Sequence, residues 1–554
     1  APEEIPTLAA LPGVRSVRPI IPKTPTHAAS VPFIGAPALW TGGNIPGVTG
    51  EGITIAVIDT GIDYLHRDFG GPGAGYENND ETRIGDVPGF PGMKIVGGYD
   101  FSGDDYNANP EDADYQPVPR PDPDPYDCYG HGTHVAGTAA GLGITADGAT
   151  YTGPYDAAVD LAAMRIAPGV APGASLYALK IFGCTGATEL TDLALEWAVD
   201  PNGDGDFSDR VDVVNLSLGS AFGTRYDTTA LAVERAAQVG VIVVASAGNS
   251  GDHYYAVGSP GVADHAISVA AVGLQRGDEG LTPQITYYSS RGPRSSDNIL
   301  KPALAAPGQA IASALAGTGS FGAALSGTSM AAPHVAGGMA LLRQLYPDWP
   351  AEDLKALVMS TARFPAGVGG PDNAALYGPA RTGAGVLDLE AAAASPIFAR
   401  AAAETGRVSV SFGRLDVQDA ISVSRQISIV NRSVQPVRLT PQVDVVTPLP
   451  GATVSLNATD AMTLAPGEII TVALQLAADA AQLRHTPDAS SLAAGTARHW
   501  LGEVAGAVIM SATAADGTPL PPLRVPYYAA VRPVATLITT DTLAIDENGR
   551  GAIV

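Results

Sequence analysis

The chain has 554 residues, 45% of them hydrophobic and 16% charged, with a formal net charge of -25. That length exceeds a single core and sets an expectation of two or three domains. The negative charge argues against nucleic acid or an anionic membrane surface as partner, and no apolar run reaches the ~18 residues of a membrane span.

The first residues, Ala1-Pro2-Glu3-Glu4, lack the basic and apolar regions of a signal peptide. Within residues 1–28 a short helix-like piece precedes an alternating strand, and the Pro/Gly-rich residues 30–50 read as an arm. Apolar runs at 53–58, 211–216 and 241–245 predict buried parallel strands. Polar residues stand at their ends: Asp59, Asn215, and Ser246 followed by Asn249. Helical patterns fall at 190–199, 228–239 and 329–346. Strands alternating with helices predict an α/β fold, a parallel sheet covered by helices on both faces. Ligands bind such sheets at the carboxyl ends of the strands.

The stretch 68–127 is rich in Gly, Pro and Asp and reads as a long acidic surface insertion, unable to form a packed helix or a central strand. From residue 407 the pattern alternates, at 408–412, 420–430, 437–445, 469–476 and 506–512, with turns between. Such segments predict an all-β sandwich. The expected division is an N-terminal arm at 1–28, an α/β domain at 29–399, and a β-sandwich domain with a C-terminal tail at 400–554.

Ser329 lies in Gly327-Thr328-Ser329-Met330-Ala331, where a helix of small apolar residues begins. Pro333 is tolerable there because the first turn has N–H groups without intrahelical partners. Those groups and the helix dipole favour negative charge beside Ser329. Alone, this is a serine in a helix cap. Two further segments supply complementary chemistry: Val57-Ile58-Asp59-Thr60-Gly61 and Gly130-His131-Gly132-Thr133-His134. A hydroxyl nucleophile, an imidazole base and a carboxylate to orient the base form a working set. On chemistry alone His134 competes with His131, and Asp63 with Asp59.

The three segments together resemble the subtilisin-like serine proteases, in that family's order Asp, His, Ser. The resemblance runs over roughly 30–395. It assigns the nucleophile to Ser329, the base to His131 and the orienting carboxylate to Asp59, and leaves His134 a structural role. Ser246-Ala247-Gly248-Asn249 matches the segment whose asparagine donates to the oxyanion, which gives that role to Asn249. By the same resemblance Ser217, Leu218 and Gly219 line one side of the principal side-chain pocket and Ala247 and Gly248 the other. Gly186 and Ala187 match the edge that pairs with an extended substrate. Small residues along these walls imply an open pocket for large apolar side chains. In the family fold the loops of Cys128 and Cys184 face each other, and a Cys128–Cys184 disulfide is expected in an oxidising, extracellular compartment.

The resemblance implies a secreted monomeric endopeptidase acting on proteins or peptides. Residues 5–19 are similar to the end of the family's inhibitory pro-segment, an ordinary extension being the alternative, and 400–540 is similar to fibronectin-type-III-like domains of larger members. A self-processing protease and a catalytically silent binding module are the rival readings. Separately, Asp200, Asn202, Asp204, Asp206 and Asp209 place oxygen ligands at alternate positions around a glycine turn, the opening of an EF-hand-type loop. Val211 stands where such a loop has glutamate, so Asp209 or Asp212 must close the shell of a structural calcium.

Overall fold

A computed structural model describes residues 27–484, 486 and 501–534, apart from 44, 278–279, 364–366, 369–374 and 404. The arm before His27, with the pro-segment reading it carries, and the tail after 534 lie outside the described residues.

The main sheet contains β1 (Thr54–Asp59), β2 (Ile95–Asp100), β3 (Ser175–Lys180), β4 (Val213–Leu216), β5 (Ile242–Ser246), β6 (Ile267–Gly277), β7 (Gly280–Ile285) and β8 (Leu304–Pro307). They lie in the order β7-β6-β5-β4-β1-β3-β2, with β8 also on β6. The pairs are parallel except β6 with β7.

Both faces of the sheet are covered, which is why β1 reads as an unbroken apolar run. Ile55 and Val57 face a core shared with the helices His131–Ala140 and Thr328–Leu345. Ala56 and Ile58 face a second core shared with the helices Thr191–Val199 and Thr228–Gln238. The small residues of the helix at Thr328 let it approach its neighbours closely. A Cβ on Gly337 would stand 2.5 Å from the Ala139 carbonyl oxygen of the helix His131–Ala140, closer than real Cβ contacts come. The two helices that begin at His131 and Thr328 are thereby held side by side.

The stretch 68–127 is more than a surface insertion. It supplies β2, the edge strand of the main sheet, and buries Asp68, Asp100, Asp124 and Asp127. An edge tolerates the glycines of β2 better than a central position does. Asp100 is acceptable inside because the buried Lys180 ammonium lies 3.0 Å from its carboxylate.

The first strand of the β-sandwich starts at Ile397. The strand Ile397–Ala401 pairs with Ala420–Asn431, which pairs with Ile469–Asp479, and Ala452–Leu456 completes that sheet. The facing sheet joins Val410–Val417, Pro519–Pro533, Glu503–Ala514, Val437–Thr447 and Met462–Leu464. Ile427, Leu474, Val508, Met510 and Val525 share the core between them. The chain is therefore an α/β domain followed by a β-sandwich. No helix among the described residues is long and apolar enough to cross a membrane.

Candidate active site

Asp59 is the last residue of β1, at the carboxyl edge of the sheet, and is 1% exposed. His131 opens its helix directly after Gly130, whose φ of 97° is a conformation glycine adopts without penalty. His131 Nδ1 lies 2.7 Å from Asp59 Oδ1. A carboxylate only accepts, so Nδ1 carries the proton and Nε2 is left with a lone pair. Asp59 Oδ1 also accepts from the Thr60 N–H at 2.8 Å, which fixes the carboxylate. Burial pulls the His131 pKa down, but the Asp59 charge and hydrogen bond, with Asp127 adding to them, leave it raised above the ordinary 6.5.

Asp127 escaped the sequence reading. It is buried, and its carboxylate accepts from the N–H groups of Tyr129, Gly130 and Thr133 and from the Thr133 hydroxyl, at 2.6 to 3.0 Å. It thus binds the otherwise unpaired donors at the start of the His131 helix. Its place four residues before His131, ahead of a glycine, was the available signal. Burial raises its pKa despite those four donors.

Ser329 is the second residue of the helix Thr328–Leu345. Its N–H belongs to the first turn, where no intrahelical acceptor exists. Its hydroxyl donates to the Ser217 carbonyl at 3.0 Å rather than to His131, while the Ser217 hydroxyl donates to the Ser329 carbonyl at 2.7 Å. The Asn249 side chain is oriented by two donors. Its Oδ1 accepts from the Thr328 N–H at 2.9 Å and from the Thr328 hydroxyl at 3.0 Å. The amide oxygen is thus engaged with the serine helix, and the amide NH2 remains for the cleft.

Asp59, His131, Asn249 and Ser329 line one cleft of about 450 Å³, together with Ser217, Leu218, Gly219, Gly186 and Gly248. Two expected wall residues are not in that lining. Ala247 is fully buried in the core. Side chains alternate where the chain leaves β5, so Ser246 and Gly248 face the cleft and Ala247 faces away. Ala187 is exposed beside the cleft, and its carbonyl oxygen accepts from the Ala108 N–H at 3.0 Å. Tyr129, Phe182 and Thr185 line the cleft instead. Their nearness to the two cysteines was the only signal for them.

Cys128 and Cys184 form a disulfide with Cα atoms 5.2 Å apart. It joins the loops that carry Tyr129 and Thr185 into the cleft. His134 donates from Nε2 towards the carbonyls of Ile311 and Ala323, at 2.9 and 3.1 Å, and burial lowers its pKa to about 4. His334 donates from Nδ1 to the Met330 carbonyl and accepts at Nε2 from the Ser30 hydroxyl, each at 2.8 Å. Asp63 is buried away from the imidazole, with Tyr76 and the Gly317 N–H as donors, and its pKa is pushed up to about 6, chiefly by burial.

The turn at 200–209 is wound by its own side chains. Asp200 accepts from the N–H groups of Asp204 and Gly205, Asn202 from that of Asp204, Asp204 from that of Asp206, and Asp209 from that of Asn202. The donor atoms are those a hard cation prefers. Among the described residues, however, the one set of three acidic, His or Cys ligand atoms within 4.8 Å of one another is Asp104 with Cys128 and Cys184. Those two sulfurs are bonded to each other. The carboxylates of the turn as placed do not converge.

Comparison with known proteins bears on this arrangement. The family model described as "Subtilase family" matches residues 50–386. Subtilisin E of Bacillus subtilis (strain 168) is 32% identical over 346 residues, covering 61% of this chain and 68% of that protein. Subtilisin of Bacillus pumilus is 31% identical over 345 residues, covering 61% of this chain and 93% of that one. The minor extracellular protease Vpr of Bacillus subtilis (strain 168) is 26% identical over 477 residues. The matched span holds the whole cleft, and the chain belongs to the subtilase family, as a subtilisin-type serine endopeptidase that hydrolyses peptide bonds.

Proposed function

We propose that hydrolysis proceeds through an acyl-enzyme on Ser329. The observation that carries this reading is the His131–Asp59 hydrogen bond of 2.7 Å, which sets the imidazole tautomer in a cleft that also holds Ser329. For this the Ser329 hydroxyl must leave the Ser217 carbonyl and turn to His131. Catalytic hydrogen bonds often close only once substrate is bound. Ser329 Oγ then bonds to the scissile carbonyl carbon as His131 Nε2 takes the hydroxyl proton. The carbonyl oxygen becomes an oxyanion, met by the Ser329 N–H and the Asn249 amide NH2. When the C–N bond breaks, His131 returns the proton to the leaving amine. Water repeats the sequence and frees the acid.

The walls at Ser217, Leu218, Gly219 and Gly248 are uncharged and, apart from Leu218, small, which favours a large apolar side chain before the cleaved bond. Gly186, with the backbone beside it, offers an edge to an extended substrate. The disulfide, and the word "extracellular" in the name of one relative, support a secreted enzyme. We further read the turn at 200–209 as a structural calcium site, for which its oxygens must rotate inward. Residues 5–19 are read as the remnant of an inhibitory pro-segment, the β-sandwich as fibronectin-type-III-like, and the working enzyme as a monomer.

Turnover of chromogenic peptides with phenylalanine or leucine before the scissile bond tests the reading against a self-processing or silent protein. Ser329→Ala should abolish turnover and labelling by a fluorophosphonate probe. Retained turnover would place the nucleophile elsewhere. Thermal unfolding with calcium in excess and with chelator should give the same midpoint if the acidic turn holds no calcium. A rise with calcium that Asp200→Asn removes supports it.

A further inference from the structure

The loop that follows β5 carries Asn249 and then runs through Asp252 and Tyr254. It is stitched to the segment 288–291 along its length. Ser290 donates its N–H to the Gly248 carbonyl at 2.9 Å, and its hydroxyl accepts from the Ser250 N–H at 3.1 Å. Gly251 donates to the Tyr288 carbonyl at 2.7 Å, and Ala256 to the Arg291 carbonyl at 2.9 Å. The position of Asn249 is therefore tied to that of Arg291.

The Arg291 side chain is buried and faces the second domain. One guanidinium nitrogen lies 2.6 Å from Glu503 Oε2 and 3.2 Å from the Tyr254 hydroxyl, and the other lies 3.2 Å from Asp252. The guanidinium sits 4.1 Å above the Tyr254 ring. Arg381 lies 2.7 Å from the same Asp252 oxygen. Glu503, the first residue of its strand in the β-sandwich, is 6% exposed. Its Oε2 also accepts from the Tyr254 hydroxyl at 3.0 Å, and its Oε1 from the buried Tyr528 hydroxyl at 2.9 Å. A buried carboxylate with an arginine and two tyrosines on it is held rigidly. Removing it takes away one of the two carboxylates that hold the guanidinium and shifts the balance of its contacts towards Asp252.

We propose that Glu503 of the β-sandwich is a positioning residue for catalysis, which holds the Asn249 loop through Arg291 and Tyr254 so that the second domain completes the active site of the first. The proposal rests on the reading of Asn249 as an oxyanion donor. Glu503 touches no substrate. It acts by fixing where the amide NH2 stands, and a displacement of an ångström at a donor is enough to matter.

A double-mutant cycle on the full chain tests it, with kcat and KM measured on a chromogenic peptide. Glu503→Ala should lower kcat about 10-fold or more and leave KM within about twofold. In an Asn249→Ala background the same change should cost less than about twofold, because the donor it positions is gone. An equal loss in both backgrounds, or undiminished kcat in Glu503→Ala, overturns the proposal. Full turnover in Asn249→Ala alone overturns the oxyanion assignment itself, whatever Glu503 does. Tyr254→Phe leaves the Arg291–Glu503 pair intact and removes only the hydroxyl between loop and carboxylate. It should lower kcat in the same background-dependent way, and it decides the matter if Glu503→Ala does not fold.

Discussion

Gly132 presses against Gly61: a Cβ at 132 would collide with the Gly61 carbonyl oxygen and stand 3.1 Å from the Thr60 nitrogen. The His131 helix therefore meets the turn after Asp59 backbone to backbone, and the Gly132 N–H donates to the Thr60 hydroxyl at 2.8 Å. This contact sets the span between imidazole and carboxylate. Gly132→Ala must push the helix away from that turn. We expect kcat to fall by about 10²-fold, the scale of an ångström's misplacement. Activity within twofold of the parent would show that the turn yields without moving His131.

The raised His131 pKa has a consequence for the pH profile. In the proposed mechanism His131 must be neutral to act as base, so activity should rise with pH as the imidazolium loses its proton. Asp59 lifts that pKa above 6.5, and the acid limb of kcat/KM should lie above that value. Asp59→Asn removes the charge and lets the amide donate to Nδ1, which favours the wrong tautomer. Turnover should fall by about 10⁴-fold, and the remaining limb should move to lower pH. A limb unmoved by the substitution would mean that another group sets it.

The legible strands of the main sheet are buried on both faces, whereas the legible strands of the β-sandwich alternate in exposure. The runs that became β1, β4 and β5 needed only hydrophobicity to be seen, and the helix after Ser329 only its small residues. β2 was hidden by Gly97 and Gly98. The strand Pro519–Pro533 was hidden by prolines that sheets usually exclude, although Pro526 pairs with Ala507 in the ladder. Asp59, His131, Asn249 and Ser329, which line one cleft, could be picked out because each sits in a distinctive local segment. Asp127, Ala247 and Glu503 could not. Their surroundings depend on which way a side chain faces or on contacts between residues far apart in the chain, as with Arg291 and Glu503, 212 positions apart.

The disulfide closes a loop between residues 56 positions apart. Chain entropy alone assigns such a closure about 4 kcal/mol, and measured values commonly fall at about 2–4 kcal/mol. Replacing both cysteines by serine should lower stability by that amount in denaturant titrations. Because Tyr129 and Thr185 reach the cleft beside the two cysteines, KM should rise more than kcat falls. A change in stability with KM untouched would show that the cleft wall holds its shape without the link.

Asp124 offers a test of the buried insertion. Its side chain is enclosed, accepts from the Tyr64 hydroxyl at 2.8 Å and from the Tyr126 N–H at 3.1 Å, and its pKa is pushed up to about 7, chiefly by burial with Asp122 adding to it. The unfolded chain loses this proton near 3.8. Between those two values the folded state holds more protons than the unfolded one, so stability declines as pH rises from about 4 to about 7. Above that window the full cost of a buried charge is present. Asp124→Asn keeps an oxygen for Tyr64 and has nothing to ionise. Its unfolding free energy relative to the parent should climb across the window, reaching a gain on the order of 1–3 kcal/mol at pH 8 in denaturant titrations. A difference that stays constant from pH 4 to pH 8 would show that Asp124 does not titrate there, and that the burial of its carboxylate is balanced by the donors around it.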